Sequence, residues 1–161
     1  FRRLEFDELG DFDGPFAAGV SGPSLRLERR GSIKAAEDRA PVVVRKTIRS
    51  GGGALRVDIE IENLAGRPLA LTYGSEWNLL AFPHELELSG AAGASLYGGA
   101  LRFEPAAAEA FWTFPLRTLS QSEGGFDIIH QGYCFCPVWS LVLSPDAPKR
   151  LSIVLKERDV R

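Results

Sequence analysis

Between Leu55 and Glu62 the chain reads Leu-Arg-Val-Asp-Ile-Glu-Ile-Glu, aliphatic and charged residues alternating without a break. A strand with one face in an apolar core and the other in water satisfies that pattern, because successive strand side chains point to opposite faces. A helix of the same composition would scatter its four aliphatics around the axis. Leu25 and Leu27 alternate with Arg26 and Glu28 in the same way, and residues 42–48 are rich in β-branched side chains. Ser50-Gly51-Gly52-Gly53 then supplies a turn into the Leu55 strand, which predicts an antiparallel hairpin. Asn63-Leu64-Ala65-Gly66-Arg67-Pro68 reads as the next turn.

The rest of the chain extends the theme. Residues 69–80 read as one long strand or a bent pair, and shorter strands are expected at 100–103, 111–118, 138–143 and 151–156. Good helix formers run only from Pro105 to Ala110, too few to hold a helix alone. Many short strands joined by turns of glycine and proline, which number 17 and 10, predict an all-β fold, an antiparallel β-sandwich. A length of 161 residues fits one domain, with residues 1–23 as an irregular lead-in pinned by the aromatics of Asp11-Phe12-Asp13-Gly14-Pro15-Phe16. The chain opens Phe-Arg-Arg-Leu-Glu and contains no methionine, which suggests a piece of a longer protein.

Charge and motif content narrow the function classes. A formal net charge of −2 gives no basis for a nucleic-acid or anionic-membrane partner, and no apolar run approaches the length of a membrane span. There is no phosphate-cradling glycine loop and no Gly-x-Ser-x-Gly elbow. His84 and His130 stand apart with no ligand spacing around them, so neither a metal nor another cofactor is expected. Cys134 and Cys136, as a lone Cys-x-Cys, read as two reduced, partly buried thiols, which favours a cytoplasmic setting.

Two segments are denser in polar and aromatic residues than a core needs. In Tyr73-Gly74-Ser75-Glu76-Trp77-Asn78, Glu76 and Asn78 are two apart and share a strand face; a carboxylate and an amide beside an indole can read sugar hydroxyls while the ring covers an apolar sugar face. The competing reading makes Trp77 a core residue, with Glu76 and Asn78 tying down loops. The second segment runs from Trp112 through Ser120-Gln121-Ser122-Glu123-Gly124-Gly125-Phe126 to Gln131-Gly132. It is either a ligand loop, with glycines admitting close approach at Glu123, or a polar hairpin turn. Glu76, Glu123 and Asp127 are the acids in polar-aromatic settings, and their separation, which would decide a glycosidase pair, is not legible in sequence.

The block Trp112-Thr113-Phe114-Pro115-Leu116-Arg117-Thr118-Leu119-Ser120-Gln121-Ser122-Glu123-Gly124-Gly125-Phe126, followed by Gln131-Gly132 and Pro137-Val138-Trp139, resembles the C-terminal domain of glycoside hydrolase family 57 α-amylases and 4-α-glucanotransferases. Asp11-Phe12-Asp13-Gly14-Pro15-Phe16, Arg45-Lys46-Thr47-Ile48 and Glu76-Trp77-Asn78 fit the same family, with Trp77 where an aliphatic residue is usual. The resemblance implies a sandwich of the galactose-mutarotase-like supersandwich type. It also implies an accessory domain that packs on an N-terminal catalytic barrel of the same parent chain and is a partner for α-glucan, such as maltooligosaccharide. The family's catalytic carboxylates lie on that barrel, so no catalytic residue is expected here. Glu76, Trp77, Asn78, Gln121, Glu123 and Gln131 are the candidates for carbohydrate binding or for the interface between domains. A stand-alone mutarotase-like sugar enzyme and a purely structural interaction domain are the alternatives.

Overall fold

The structure, a computed structural model, describes residues 14–35, 38–122 and 124–158. Twelve strands are present among them: β1 (Ala17–Ser21), β2 (Ser24–Ala35), β3 (Asp38–Gly51), β4 (Ala54–Asn63), β5 (Leu69–Gly74), β6 (Trp77–Leu79), β7 (Glu87–Leu88), β8 (Ala94–Leu96), β9 (Leu101–Pro105), β10 (Ala110–Ser122), β11 (Gly125–Leu143) and β12 (Lys149–Glu157). Helical structure among the described residues is confined to three single 3-10 turns. The expectation of an antiparallel all-β fold holds. The irregular lead-in does not hold throughout: Ala17–Ser21 is a strand, paired with β2 from Ala17↔Glu28 to Ser21↔Ser24. Asp11, Phe12 and Asp13 lie outside the described residues; Phe16 sits beneath Lys46, whose Nζ is 5.0 Å from the ring centroid.

The chain forms two compact units. The first comprises the described residues up to Gly51 together with 56–71 and 141–152. Its strands follow the order β1-β2-β3-β4, with the start of β12 beside β4. Gly52 and Gly53, both at positive φ, make the two-residue turn between β3 and β4, the geometry whose twist matches that of the strands it joins. The alternation of β4 behaves as expected: Val57, Ile59 and Ile61 are buried with Val42, Val43, Val44, Leu69 and Leu143. The predicted turn after β4 is organised by the buried Asn63. Its Nδ2 donates to the carbonyls of Arg67 (2.7 Å) and Leu143 (2.9 Å), and its Oδ1 accepts from Ala65 N (2.8 Å).

The solvent face of the same unit carries a charge ladder. Arg45 on β3 donates from Nε to Glu28 (2.8 Å) and from Nη1 to Glu62 (2.6 Å) and Glu60 (3.1 Å), and Arg150 donates to the other oxygen of Glu60 (3.1 Å). The hydrogen bond to Arg45 holds the Glu28 carboxyl below its ordinary range. Arg45→Ala is expected to cost about 1 kcal/mol at neutral pH, the pairs being screened by solvent. Because Glu28 has a depressed folded pKa, its contribution exists above the unfolded value and is lost as pH falls through the folded one. The difference between Arg45→Ala and the parent in urea unfolding should therefore shrink in acid; an unchanged difference counts against the ladder.

The second unit comprises 52–55 and the described residues among 72–140 and from Ile153 on. The end of β12 pairs with β9, β9 with β8 and β8 with β7, while β10, β11, β5 and β6 form the other sheet. Residues 69–80 are indeed a bent pair of strands: β5 and β6 both lie along β11, separated by an irregularity at Gly74–Glu76. The core is aromatic. Phe103 is fully buried and meets Trp77 edge-on at 5.3 Å, Phe111 at 5.6 Å and Phe135 at 5.9 Å.

Candidate functional site

Pairing fixes which side chains share a face, since directly opposed residues of antiparallel strands point the same way. Phe135 lies opposite both Trp77 on β6 and Thr113 on β10, and these face the core. One residue further along, Cys134 lies opposite Asn78 and Phe114, and Cys136 lies opposite Trp112. The outer face of this sheet therefore carries Trp112 and Phe114 along β10, the two thiols along β11, and Asn78 with Glu76 at β6. With strands about 4.8 Å apart, this row is about 10 Å wide.

Asn78 Nδ2 donates to Glu76 Oε1 at 3.1 Å, and both residues are exposed. The Glu76 carboxylate also meets the Cys134 thiol, so the pair is held against β11. Trp112 and Phe114 are 42% and 38% exposed, so two ring surfaces flank the polar pair across the sheet. Burial pushes both thiols up, and the carboxylate of Glu76 adds to the effect. They stay protonated at neutral pH and form an inert floor rather than a nucleophile or a metal ligand set. Both cysteines are free, and no group of three His, Cys, Asp or Glu among the described residues is arranged to hold a metal.

The candidate residues do not all meet. Trp77 does not share the face of Glu76 and Asn78: it is half-buried on the core side, donates its indole N–H to Ser75 Oγ at 3.0 Å and packs on Phe103. Alternation alone places it there, opposite its two neighbours. Gln131 is the extra residue of a bulge where the β10–β11 register shifts at Leu116/Arg117, and its Nε2 donates to Thr118 Oγ1 at 3.1 Å. Gln121 lies opposite Phe126 near the hairpin end, eight residues further along β11 than the partner of Asn78, about 25 Å away at ordinary strand rise. Glu123 lies outside the described residues. His130 donates from Nε2 to Ala81 O at 2.7 Å, on the face of β11 away from Cys134 and Glu76. No acid–base couple of Glu76 with His130 exists. The exposed rings of Trp112 and Phe114 are the addition that the structure makes; their signal in sequence is only their spacing of two beside the core residue Phe111.

An aldose 1-epimerase-type protein of Escherichia coli K12 shares the fold with a TM-score of 0.64 at 12% identity, over 90% of this chain and 69% of its own. The fold is thus a β-sandwich of the galactose-mutarotase-like type. The sequence match is more particular. Residues 1–153 match the family model for the C-terminal region of α-amylase/4-α-glucanotransferase, and the chain belongs to that family. It is 32% identical over 142 residues to a 4-α-glucanotransferase of Thermococcus litoralis, a match covering 84% of this chain and 21% of that protein. The crystal structure of the Thermococcus litoralis 4-α-glucanotransferase superposes with a TM-score of 0.76 at 26% identity, over 98% of this chain and 25% of that one. The chain thus spans about a fifth of the length of the relative it matches.

Proposed function

We propose that this chain is the accessory β-domain of a larger cytoplasmic enzyme acting on α-glucan, of the 4-α-glucanotransferase or α-amylase type. It packs on the catalytic barrel of the same parent chain, which carries the bond-breaking carboxylates, and it offers maltooligosaccharide a weak holding site. The observation that supports the holding site is the shared outer face of Glu76 and Asn78 with Trp112 and Phe114. A carboxylate–amide pair orients sugar hydroxyls, and exposed rings cover the apolar faces of pyranoses. Gln121 and Gln131 lie further along β10 and β11 than that cluster, and together with Glu123 they serve the interface with the barrel.

Titrating maltohexaose into the chain, followed by amide chemical shifts, tests the site. Binding with a Kd of about 1 mM is expected, with the shifts centred on residues 76–78 and 112–114. Trp112→Ala should weaken it by about tenfold, or ~1.4 kcal/mol, and Glu76→Gln by less. No shift at millimolar ligand, or an undiminished response in Trp112→Ala, removes the holding site and leaves only the packing role.

A further inference from the structure

β11 has neighbours on both sides only in part. β6 pairs with it over Tyr133–Phe135, whereas β10 continues alongside it to Ser122↔Gly125. Beyond the bulge at Gln131 the two strands form a ribbon. Its faces follow from the register: Arg117↔His130, Leu119↔Ile128 and Gln121↔Phe126 lie on the side that faces the core further back, and Thr118↔Ile129 and Ser120↔Asp127 lie on the other. The apolar side that fills the core at Phe135 thus continues outward along Ile128 and Phe126, past the point where described residues cover it. Leu119, Ile128 and Phe126 are 67%, 68% and 69% exposed.

A two-stranded ribbon is marginal in water by itself, and three large apolar side chains side by side on one face mark a contact surface. Sugar is a poor occupant, because the centre of this face is apolar: Arg117 and His130 stand at its inner end and Gln121 at its tip, while Leu119, Ile128 and Phe126 offer no hydrogen bond. The occupant at hand is the rest of the polypeptide: the Thermococcus litoralis relative carries about four-fifths of its length outside the matched region, and a tethered neighbour acts at a high effective concentration. We propose that the ribbon is the docking element of the domain, and that the Leu119–Ile128–Phe126 face lies against the catalytic region of the same parent chain. This deepens the packing half of the reading above and rests on it.

The test uses the full-length parent enzyme with the photo-crosslinker p-benzoyl-phenylalanine in place of Phe126, an aromatic-for-aromatic change at an exposed position, and separately in place of Asp127 on the opposite face. Irradiation at position 126 should give a product of monomer mass joining this ribbon to peptides outside the 161 residues, with at least fivefold less capture from position 127. A product of dimer mass overturns the proposal in favour of a second copy. Capture confined to the 161 residues, no capture, or equal capture from both positions overturns it outright. Maltooligosaccharide disproportionation or hydrolysis by the unmodified full-length enzyme is assayed beside it. Cross-linking without such activity leaves the docking intact and removes the glucan reading; activity without cross-linking does the reverse.

Discussion

Phe103→Ala is expected to cost about 3–5 kcal/mol of stability, the range for truncating a large buried aromatic. The ring is fully buried and makes contacts with Trp77, Phe111 and Phe135 at centroid distances of 5.3, 5.6 and 5.9 Å. Removing it deletes its own transfer term and leaves a void lined by three other rings that rest on sheet backbone, so the site collapses poorly. Set against a total stability of ~5–15 kcal/mol, the loss is large, with an expected fall in Tm of about 10 °C. Phe103→Leu fills part of the void and should cost less than half as much. Urea unfolding followed by circular dichroism measures both; a loss below about 1 kcal/mol for Phe103→Ala would show that the four-ring cluster is not the centre of this unit's core.

The same residues explain what was legible in the sequence. β4 is legible because one of its faces meets water, so its alternation is unbroken. The bend between β5 and β6 was legible at Gly74, where an added Cβ would stand 3.1 Å from Cys136 Sγ. β11 is legible only at its end, 138–143: from Gly132 to Trp139 buried and half-buried residues follow one another without alternation. β8, in the small-residue stretch Gly93-Ala94-Ser95-Leu96, has little propensity of its own; its pairing with β9 creates it. Ser120-Gln121-Ser122 suggested a loop, yet β10 runs through it, because polar residues suffice for a ribbon with one face in water. For the site, the i, i+2 spacing of Glu76 and Asn78 fixed their common face locally. That Trp112 and Phe114 share it depends on the register between β10, β11 and β6, a long-range fact that no local pattern encodes.

Gly132→Ala should destabilise the domain by about 3 kcal/mol, although it adds a single methyl group. Gly132 has φ 137 and is buried, a backbone region that L-residues occupy only under strain. A Cβ there would overlap the carbonyl oxygen of Leu79 and stand 3.0 Å from Leu79 C and Leu80 Cα. These are backbone atoms at the end of β6, paired to β11 one residue away at Tyr133↔Leu79, so no side chain can swing aside. Relief requires β6 to part from β11. That movement carries Glu76 and Asn78 out of line with Trp112 and Phe114, so maltohexaose binding should fall with stability in this variant. It also releases the bulge at Gln131, on which the facing of the ribbon depends. Gly19→Ala is the control: Gly19 lies in β1 at negative φ with nothing within 4 Å of an added Cβ, and its change should stay within about 0.5 kcal/mol. Equal urea midpoints for the two variants would mean that β6 does not approach Gly132 as described. A selective loss at Gly132 ties the Gln131-Gly132 pair to strand approach rather than to sugar contact, and gives a physical reason for a glycine at that place in the sequence.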